Sequence, residues 1–395
     1  MTTSASSPYI LIAAAEVSAD LHAASLARSI LQKLPTASLY GCGGSEMAKA
    51  GVDIRIFTAQ LGYVKIRESW FQSSTIKQTL RELHRWVHEQ RPNLAILIDS
   101  ERFNGALIKL LAKEKIPIVY YLSPQVAFWA PWRAKKYAKL SSLIIPAFSS
   151  ELDLLKRAGA RATWVGHPLL DLLNLEETEN APGRPPPLSQ NDRVLIGLMP
   201  GSRMQEVNLF TPIVLNSVLM MRAARPDLAF VLPVASPHLA APIETMIETK
   251  GLTNIIQIVD RNPHLWIRRC DLLLASTGTV TLEAAILGTP MVTFYKLNPI
   301  TYIVARALVR TPFIALPNIV LNRESVPELI QRKFTAKRLA DTALALLSNP
   351  KLHDKMVRDL AKTRKALGEV GAIDRATDLI LGELGKIRGH RTNVD

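Results

Sequence analysis

The chain has few cysteines and no pair of them close together. Only Cys42 and Cys270 occur among its 395 residues, so neither a disulfide framework nor a cysteine-rich metal cluster is expected. Both thiols are predicted to be buried in a protein of a reducing compartment. Residues 1–7 lack basic side chains, which disfavours a signal peptide. No uncharged apolar run reaches the ~18 residues of a membrane-spanning helix, so membrane contact is predicted to be peripheral at most.

Two common phosphate-binding fingerprints are also missing. No G-x-x-x-x-G-K-[ST] P-loop occurs, and no G-x-G-x-x-G opens the first predicted helix. The run Gly41-Cys42-Gly43-Gly44 comes later and is predicted to be a tight turn between a strand and a helix.

The chain has fewer acidic than basic residues, which favours a partner that is an anion. The chain has 34 acidic and 48 basic residues, for a net charge of +14. Such a balance favours nucleic acid, an acidic lipid surface or a phosphorylated substrate, although a protein can also be basic without an anionic partner. Basic residues are spread over both halves without a long Lys/Arg tract or interleaved aromatics, so no nucleic acid is predicted.

Apolar runs alternate with amphipathic stretches along most of the chain. The length exceeds one ordinary core, which predicts two domains. Strands separated by helices indicate parallel βαβ units, and hence two doubly wound Rossmann-like α/β domains facing a cleft. The predicted strands are 9–15, 94–98, 116–122, 143–145, 194–199, 228–234, 255–259, 272–275 and 291–295.

A polar segment separates the two series of strands. It contains Glu176-Glu177-Thr178-Glu179 and Arg184-Pro185-Pro186-Pro187, which are typical of a stiff linker. We therefore predict an N-terminal domain over 1–175, a linker over 176–193 and a C-terminal domain over 194–364. A last helix at about 365–395 is predicted to complete the first domain.

The turn Pro200-Gly201-Ser202-Arg203 follows a predicted strand of the second half. Gly201 allows close approach of a ligand to the backbone, Ser202 can cap the next helix, and Arg203 can hold phosphate oxygens in a bidentate manner. An ordinary capped turn is an equally good interpretation of these four residues alone.

Another polar turn, Thr277-Gly278-Thr279, follows a strand in the same half and opens a predicted helix. The free N–H groups and the dipole at the start of that helix would suit a pyrophosphate. Glu283, one turn later, could accept hydrogen bonds from ribose hydroxyls or simply be solvated.

The segment 316–331 is predicted to be a loop that leaves an apolar stretch and runs into a helix. Its polar residues Asn318, Arg323 and Glu324 would complete the wall of a nucleotide site. Gln331 is predicted to lie on the surface of the helix.

Taken in order, these segments resemble the lipid-A-disaccharide synthase family, which has the GT-B architecture. The resemblance covers roughly Tyr9 to Leu384. Its most specific parts are segment 316–331 and the combination of Ser123-Pro124-Gln125-Val126 with Val165-Gly166-His167-Pro168. The other matching segments are Gly41–Met47, Leu61–Val64, Ile98-Asp99 with Phe103-Asn104, Pro200–Arg203 with Glu206-Val207, Thr277–Glu283, Pro290–Val292 and Tyr295-Lys296.

The resemblance implies an inverting glycosyltransferase without metal or cofactor. It would move 2,3-diacylglucosamine from UDP to 2,3-diacylglucosamine 1-phosphate and form the β-1,6 lipid A disaccharide. The reaction would take place in the cytoplasm, at the inner face of the bacterial cytoplasmic membrane. Asp99 would be the general base, and the oligomeric state is left open, with a homodimer among the options. UDP would be held by Gly201, Ser202, Arg203, Thr277, Gly278, Thr279, Glu283, Asn318, Arg323 and Glu324.

The departures from the family pattern lie on the acceptor side. The family's Gly-Glu-Thr-Ser-Gly-Asp loop keeps Glu16, Ser18 and Asp20 here, but Ala15 and Ala19 replace its glycines. If either position requires a positive φ, alanine strains the loop by about 1 kcal/mol or reshapes it.

Two basic residues also stand where the family has acidic ones. Lys65 replaces a glutamate and Arg102 replaces an aspartate. Arg102 is expected either to lower the pKa of the nearby Asp99 or to hold an acceptor phosphate.

Several residues keep two interpretations. His167 could be a buried structural histidine or a phosphate contact. Trp70-Phe71 could insert among lipid acyl chains or pack at the edge of the hydrophobic core. Trp132 and the basic residues after it could meet an anionic membrane or form a solvated helix face. These basic residues are Arg133, Lys135, Lys136 and Lys139.

Three other functions remain open at this point. The first is a UDP-sugar glycosyltransferase with a changed acceptor. The second is an isomerase similar to UDP-N-acetylglucosamine 2-epimerase, which also has two doubly wound domains. The third is a catalytically silent paralogue that binds lipid or nucleotide.

Overall fold

The computed structural model describes residues 7–58, 69–123, 125–173, 194–234, 236–259, 262–299, 301–303, 309 and 311–392. The chain divides into two compact units, one made of Met1–Asp171 with Gly368–Asp395 and the other of Leu172–Leu367. The matching segment Leu61–Val64, Lys65 and the predicted linker lie outside the described residues, as do the side chains of Trp70, Phe71 and Arg102.

The first unit is built on a parallel six-stranded sheet in the order β3-β2-β1-β4-β5-β6. Its central strands have almost no exposed side chains, which explains their unbroken apolar runs. The strands are β1 (Tyr9–Ala13), β2 (Ser38–Gly43), β3 (Asp53–Phe57), β4 (Leu94–Ile98), β5 (Ile118–Ser123) and β6 (Leu143–Pro146). The helices are α1 (Val17–Lys33), α2 (Ser45–Lys49), α3 (Ser69–Gln90), α4 (Glu101–Lys113), α5 (Val126–Trp129), α6 (Ala134–Leu140), α7 (Leu152–Arg157) and α8 (Leu169–Leu172).

The second unit repeats this topology. Its sheet has the order β12-β11-β10-β7-β8-β9, so in both units the strand order reverses beside the first strand of the sheet. Ligands of such sheets bind beyond the carboxyl ends of the strands at this reversal. The strands are β7 (Leu195–Met199), β8 (Ala229–Pro233), β9 (Ile256–Val259), β10 (Leu272–Ser276), β11 (Met291–Tyr295) and β12 (Glu328–Ile330).

The helices after β7 belong to the second unit, except for the last one, which belongs to the first. They are α9 (Met204–Ala224), α10 (Ala240–Thr249), α11 (Pro263–Arg269), α12 (Thr279–Leu287), α13 (Leu316–Leu321), α14 (Ala336–Ser348), α15 (Pro350–Ala366) and α16 (Ala372–Thr392).

Helix α16 packs against α1 through polar contacts. The Thr377 hydroxyl donates to Ser29 Oγ at 2.9 Å, and Ser29 in turn donates to Asp374 at 2.9 Å. At the start of the helix, the Asp171 carboxylate accepts hydrogen bonds from two backbone N–H groups. These contacts hold the end of the chain to the first unit.

Helix α9 is long and apolar enough to cross a membrane by length and composition, and it is the one such helix in the described ranges. Its apolar side chains, however, enter the core of the second unit, where Phe210 meets Phe294 and Phe334 edge to face. This packing is that of a core helix.

The glycine run from Gly41 to Gly44 is mostly strand, and only Gly44 lies in the predicted tight turn between β2 and α2. Residues 38–43 form β2, so Gly41 and Gly43 lie within the strand and at its end. Gly41 has φ 159°, and a Cβ there would lie 1.8 Å from the Ile12 carbonyl oxygen. Close pairing of β1 with β2 therefore requires glycine at this position.

The segment 316–331 also differs from its prediction. It forms the short helix α13, a turn and the edge strand β12, because residues 328–330 pair with β11 instead of opening a long helix. Gln331 lies just after that strand with φ 54°, not on an α-helical surface.

Candidate active site

Asp99 follows β4 at the strand reversal of the first unit. Both Asp99 and Ser100 have left-handed backbone conformations, with φ 44° and 52°. Such strain is maintained only where neighbours fix the backbone. The Asn104 amide donates to the carbonyl oxygens of Ile98 and Asp99 at 2.9 Å, and the Tyr120 hydroxyl donates to the Asp99 carbonyl at 3.0 Å. These bonds fix the turn that carries the Asp99 carboxylate.

The electrostatic surroundings of Asp99 favour its protonated form. Burial raises the pKa of Asp99 to about 7, and the negative charges of Glu16 and Glu101 act in the same direction. Desolvation and the neighbouring carboxylates give this shift its direction. The effect expected of Arg102 stays a prediction, because its side chain lies outside the described residues. A carboxylate of this pKa is well matched to accept a proton near neutral pH.

Asp20, which was predicted to belong to the acceptor site, has a structural role. Its buried carboxylate accepts hydrogen bonds from the backbone N–H groups of Gly44, Glu46 and Met47 at 2.7, 3.0 and 3.2 Å. Asp20 therefore caps α2 and positions the turn after β2.

The loop that begins at Ala15 is hydrogen-bonded to the turn that carries Asp99, the predicted base. The Ala15 backbone N–H donates to Ser100 Oγ at 3.1 Å, and Glu16 and Ser18 are partly exposed at the start of α1. Ala15 and Ala19 are outside the left-handed region, so alanine in place of the family's glycines causes no backbone strain.

Two basic side chains, Arg133 and Lys136, lie next to the Asp99 turn. Glu101, the first residue of α4, forms an ion pair with Arg133 and accepts a hydrogen bond from the Tyr137 hydroxyl at 3.3 Å. Lys136 donates to the Gly105 carbonyl oxygen at 2.9 Å. Both cations are thus fixed against the helix that follows the predicted base.

In the second unit, the turn after β7 is organised by a residue to which the sequence assigned no role. Glu206 Oε2 accepts from the Ser202 backbone N–H at 3.1 Å, and Glu206 Oε1 lies 3.5 Å from Arg203 Nη1 and 3.3 Å from the Tyr295 hydroxyl. Gly201 has φ 137°, and a Cβ there would lie 2.5 Å from Glu206 Cβ. The helix begins after Arg203 and not after Ser202, so the prediction that Ser202 caps it is wrong. With arginine at the cap, the sequence has no capping-box pattern that could have identified Glu206.

The turn after β10 begins α12 with open space in front of Gly278. A Cβ on Gly278 would meet no atom within 4 Å, and Gly278, as the N-cap residue, has no side chain to cap the helix. The N–H groups of Thr279 and Val280 are therefore available to an anion, whereas that of Thr281 donates to the Gly278 carbonyl oxygen at 3.1 Å. Thr277, just after β10, is partly exposed beside them.

Glu283 lies in the next turn of α12 and is partly buried. His264 Nε2 of α11 lies 3.4 Å from Glu283 Oε2. The sequence did not reveal this pair, because only the fold brings the two helices together.

The 316–331 segment is held together by Asn318. Asn318 is fully buried, and its Oδ1 accepts from the backbone N–H groups of Ser325 and Val326 at 2.7 and 2.9 Å and from the Ser325 hydroxyl at 2.8 Å. Its amide donates to the Val326 carbonyl and to Glu328 at 2.9 and 2.8 Å. Because these bonds use both ends of the side chain, Asn318 organises the segment.

Arg323 and Glu324 lie at the exposed turn that follows α13. The Arg323 guanidinium forms an ion pair with the buried Asp359 of α15 at 2.6 Å. Its place at the nucleotide, and that of Glu324, remain predictions.

Two buried histidines pack together in the first unit. His167 Nδ1 accepts from the Leu169 backbone N–H at 3.2 Å, and its ring meets that of His22 edge to face at 6.1 Å. Burial lowers the pKa of His22 to about 4 and that of His167 to about 3. Both rings are therefore neutral at physiological pH, which favours the structural interpretation of His167.

Glu151 is a buried acid to which the sequence assigned no role. Burial raises the pKa of its carboxyl well above the usual range, and the charge of Asp99 acts in the same direction. The polar residues around it in sequence would place it on the surface, so a local pattern could not have identified it.

Within the described residues, no group of three or more metal-ligating side chains is found. Cys42 and Cys270 are both free and buried, as expected.

Solved structures of known proteins share this pair of sheets. The S. aureus MnaA-UDP co-structure aligns with a TM-score of 0.66 at 11% identity, over 96% of this chain and 97% of that one. The UDP-GlcNAc 2-epimerase from Neisseria meningitidis bound to UDP-GlcNAc aligns with a TM-score of 0.63 at 14% identity, over 96% and 99%. At such identities the similarity shows the fold alone, which is that of the GT-B class.

The sequence comparisons specify the family. The lipid-A-disaccharide synthase of Geobacter sulfurreducens is 34% identical over 381 residues, which cover 95% of this chain and 97% of the relative. The model of the lipid-A-disaccharide synthetase family matches residues 10–380. The chain belongs to that family and is a glycosyltransferase, so the resemblance seen in its motifs is confirmed.

Proposed function

We propose that this protein transfers 2,3-diacylglucosamine from UDP to the 6-hydroxyl of 2,3-diacylglucosamine 1-phosphate, with inversion at the anomeric carbon. The observation that carries this proposal is the family match over nearly the whole chain. The geometry supports it, because a carboxylate with a pKa of about 7 lies at the strand reversal of the first unit. An uncapped helix start and an arginine lie at the reversal of the second.

The second unit supplies the groups that a nucleoside diphosphate needs. The free N–H groups of α12 and the Arg203 guanidinium can stabilise phosphate charge as the sugar leaves UDP. The Glu283 carboxylate can accept hydrogen bonds from ribose hydroxyls. Because negative charge grows on UDP as the bond breaks, donors at these positions favour the transition state.

Asp99 would remove the proton of the acceptor hydroxyl as the new bond forms. The constrained turn fixes the position of its carboxylate, and the raised pKa makes it a stronger base than an exposed aspartate. The proton passes from the hydroxyl oxygen to Asp99, while the electron pair of the broken anomeric bond leaves with UDP.

The protein is proposed to act as a peripheral enzyme at the inner face of the bacterial cytoplasmic membrane. Trp132 is 56% exposed, and the nearby Arg133, Lys135 and Lys139 are exposed basic residues. Each basic residue near anionic headgroups contributes about 1 kcal/mol to membrane attraction. This surface adjoins the Asp99 turn, where an acylated acceptor would arrive from the lipid.

Mass spectrometry of the products formed from the two family substrates tests the proposal. Wild-type protein is expected to release UDP and form a disaccharide monophosphate, and Asp99→Asn to lower turnover at least ~100-fold while UDP binding persists. UDP release without the disaccharide would indicate another acceptor, and an epimer formed from the donor alone would indicate an isomerase. Full activity of Asp99→Asn would remove Asp99 as the base.

The donor assignment has its own test in Arg203→Ala. Loss of a charge-assisted phosphate contact is expected to weaken UDP binding by about tenfold to a hundredfold in calorimetry. Arg338→Ala, which removes an exposed charge on α14, is the matched control and should leave UDP affinity unchanged. Equal affinities of all three proteins would exclude Arg203 from the nucleotide site.

A further inference from the structure

Two polar side chains of the second unit meet on neighbouring helices, at the edge of the sheet where ligands bind. His264 is the second residue of α11, which follows β9, and Glu283 lies in the second turn of α12, which follows β10. Helix α11 packs against α12 and against the strands β7 and β8. The pair therefore lies near the strand reversal beside β7.

The contact between the two side chains involves one oxygen of the carboxylate. His264 Nε2 lies 3.4 Å from Glu283 Oε2, and the His264 and Glu283 side chains are 31% and 18% exposed. This distance is slightly longer than an ordinary hydrogen bond, so a small shift allows an imidazole N–H to donate to the carboxylate. Because the contact is made by Oε2, the Oε1 atom can accept hydrogen bonds from a ligand.

Helix α11 is anchored in the second unit, which gives His264 a defined position. Pro263 is the first residue of the helix, and Asn262 before it has φ 49°, a conformation that asparagine tolerates. One turn later, Ile267 enters the core, and the Thr289 hydroxyl donates to the Ile267 carbonyl oxygen at 2.9 Å. The imidazole is therefore carried by a rigid element, as the precise orientation of a ligand-binding carboxylate requires.

Glu283 lies on the same side of α12 as the free N–H groups that open the helix. Residues three and four apart are neighbours on a helix, so Glu283 follows Val280 and Thr279 along one side, about 6 Å from Thr279 along the axis. The space in front of Gly278 at this end of the helix is open. A nucleoside diphosphate whose phosphates bind at the N–H groups would therefore place its ribose, the next group along the molecule, near the carboxylate.

We propose that His264 is a positioning residue that orients Glu283 toward the ribose, and that the pair selects a ribonucleoside diphosphate over its 2′-deoxy analogue. The imidazole donates to one oxygen of the carboxylate, and the other oxygen accepts from the 2′-hydroxyl. A ligand without this hydroxyl leaves the partly buried carboxylate short of one hydrogen bond, and this loss is the origin of the discrimination. The inference deepens the proposed function and rests on it for the nature of the nucleotide.

The affinities for UDP and for 2′-deoxy-UDP, measured by calorimetry, test the pair. Wild-type protein is expected to bind UDP about tenfold more tightly than 2′-deoxy-UDP. In His264→Leu, which cannot donate to the carboxylate, this preference should fall to about threefold or less, while the affinity for 2′-deoxy-UDP changes by less than about twofold. His264→Gln, whose amide can donate to the carboxylate, should keep most of the preference.

Three further variants serve as controls. His353→Leu removes a histidine that lies 3.6 Å from Asp354 on α15, and it should leave both affinities unchanged. Because His264 acts through Glu283, adding His264→Leu to Glu283→Gln should not change the preference further. Arg203→Ala should weaken the binding of both nucleotides by the same factor, because a phosphate contact does not depend on the ribose.

An unchanged preference in His264→Leu would overturn the proposal, and so would a wild-type protein that does not distinguish the two nucleotides. An equal loss of affinity for both nucleotides in His264→Leu would overturn it as well, because it would mark a histidine that only supports the fold. If wild-type protein forms no disaccharide but its preference depends on His264, the proposed function fails and the role of His264 stands. If it forms disaccharide and His264→Leu keeps the preference, the reverse holds.

Discussion

Two aspartates of the first unit show how much a single side chain depends on its surroundings. Burial and the charges of Glu16 and Glu101 bring the pKa of Asp99 to about 7, so its carboxylate is a base suited to neutral pH. The carboxylate of Asp20, near the start of α1, is instead taken up by three backbone hydrogen bonds at the start of α2. The same functional group therefore serves chemistry in one place and loop geometry in the other.

The pH dependence of turnover tests this account of Asp99. Because the base must be deprotonated, activity is expected to rise as the pH passes through about 7. Glu16→Gln removes a neighbouring negative charge, which lowers the pKa of Asp99 and should move the midpoint of the rise to lower pH by about half to one unit. The measurement is kcat against pH, with Glu248→Gln on the exposed surface of α10 as a distant control. Superimposable profiles of Glu16→Gln and wild type would show that Glu16 does not act on the base.

Among the elements of the second unit, the 316–331 segment depends on Asn318 and Glu328. The Glu328 carboxylate accepts hydrogen bonds from the backbone N–H groups of Ile314 and Ala315 just before α13, and Asn318 joins that helix to the turn before β12. The edge strand thus fixes the helix that precedes it. This arrangement determines where Arg323 and Glu324 emerge at the turn.

Asn318→Ala is expected to destabilise the second unit by about 3 kcal/mol, because it leaves several buried donors and acceptors without partners. Chemical unfolding measures the loss. Asn322→Gly, which removes an exposed amide at a left-handed position of the same segment, should cost less than about 1 kcal/mol. If Asn318→Ala were as stable as wild type but unable to bind UDP, Asn318 would be a ligand contact and not an organiser.

For the molecule as a whole, stability carries a pH dependence from buried histidines. His22 and His167 are neutral in the folded protein, with pKa values of about 4 and 3. In the unfolded chain each binds a proton at its usual pKa of about 6.5. Their contribution to stability is therefore complete above a pH of about 6.5 and is lost as the pH falls toward their folded pKa values.

His22→Gln isolates this effect, because glutamine does not titrate. Between a pH of about 7 and a pH of about 5, the variant is expected to lose about 2 kcal/mol less stability than the wild type. Chemical unfolding at the two pH values measures the difference, and His353→Gln, at a more exposed position on α15, should behave as the wild type does. Equal losses in His22→Gln and wild type would mean that His22 is protonated in the folded state.

The class of fold and the family could be predicted from local patterns in the chain. Buried parallel strands need apolar side chains on both faces, so runs such as 94–98 and 272–275 can be recognised without knowledge of their partners. The motifs after the strands carried the family resemblance, and Asp99, Arg203 and Thr277–Thr279 were chosen from them. Three strands were missed. In β2 the glycines indicated a turn, whereas β3 and β12 are partly exposed and acquire their structure from pairing.

The protonation states and hydrogen-bond partners of these site residues could not be predicted from local patterns, because they depend on three-dimensional packing. The raised pKa of Asp99, the capping role of Asp20, the internal bonding of Asn318 and the His264–Glu283 pair involve groups that folding brings together. Hydrogen bonds and desolvation act through space, over a few ångströms, between residues that the chain separates. A local pattern records which groups are present, whereas their protonation and partners follow from the contacts that the fold creates.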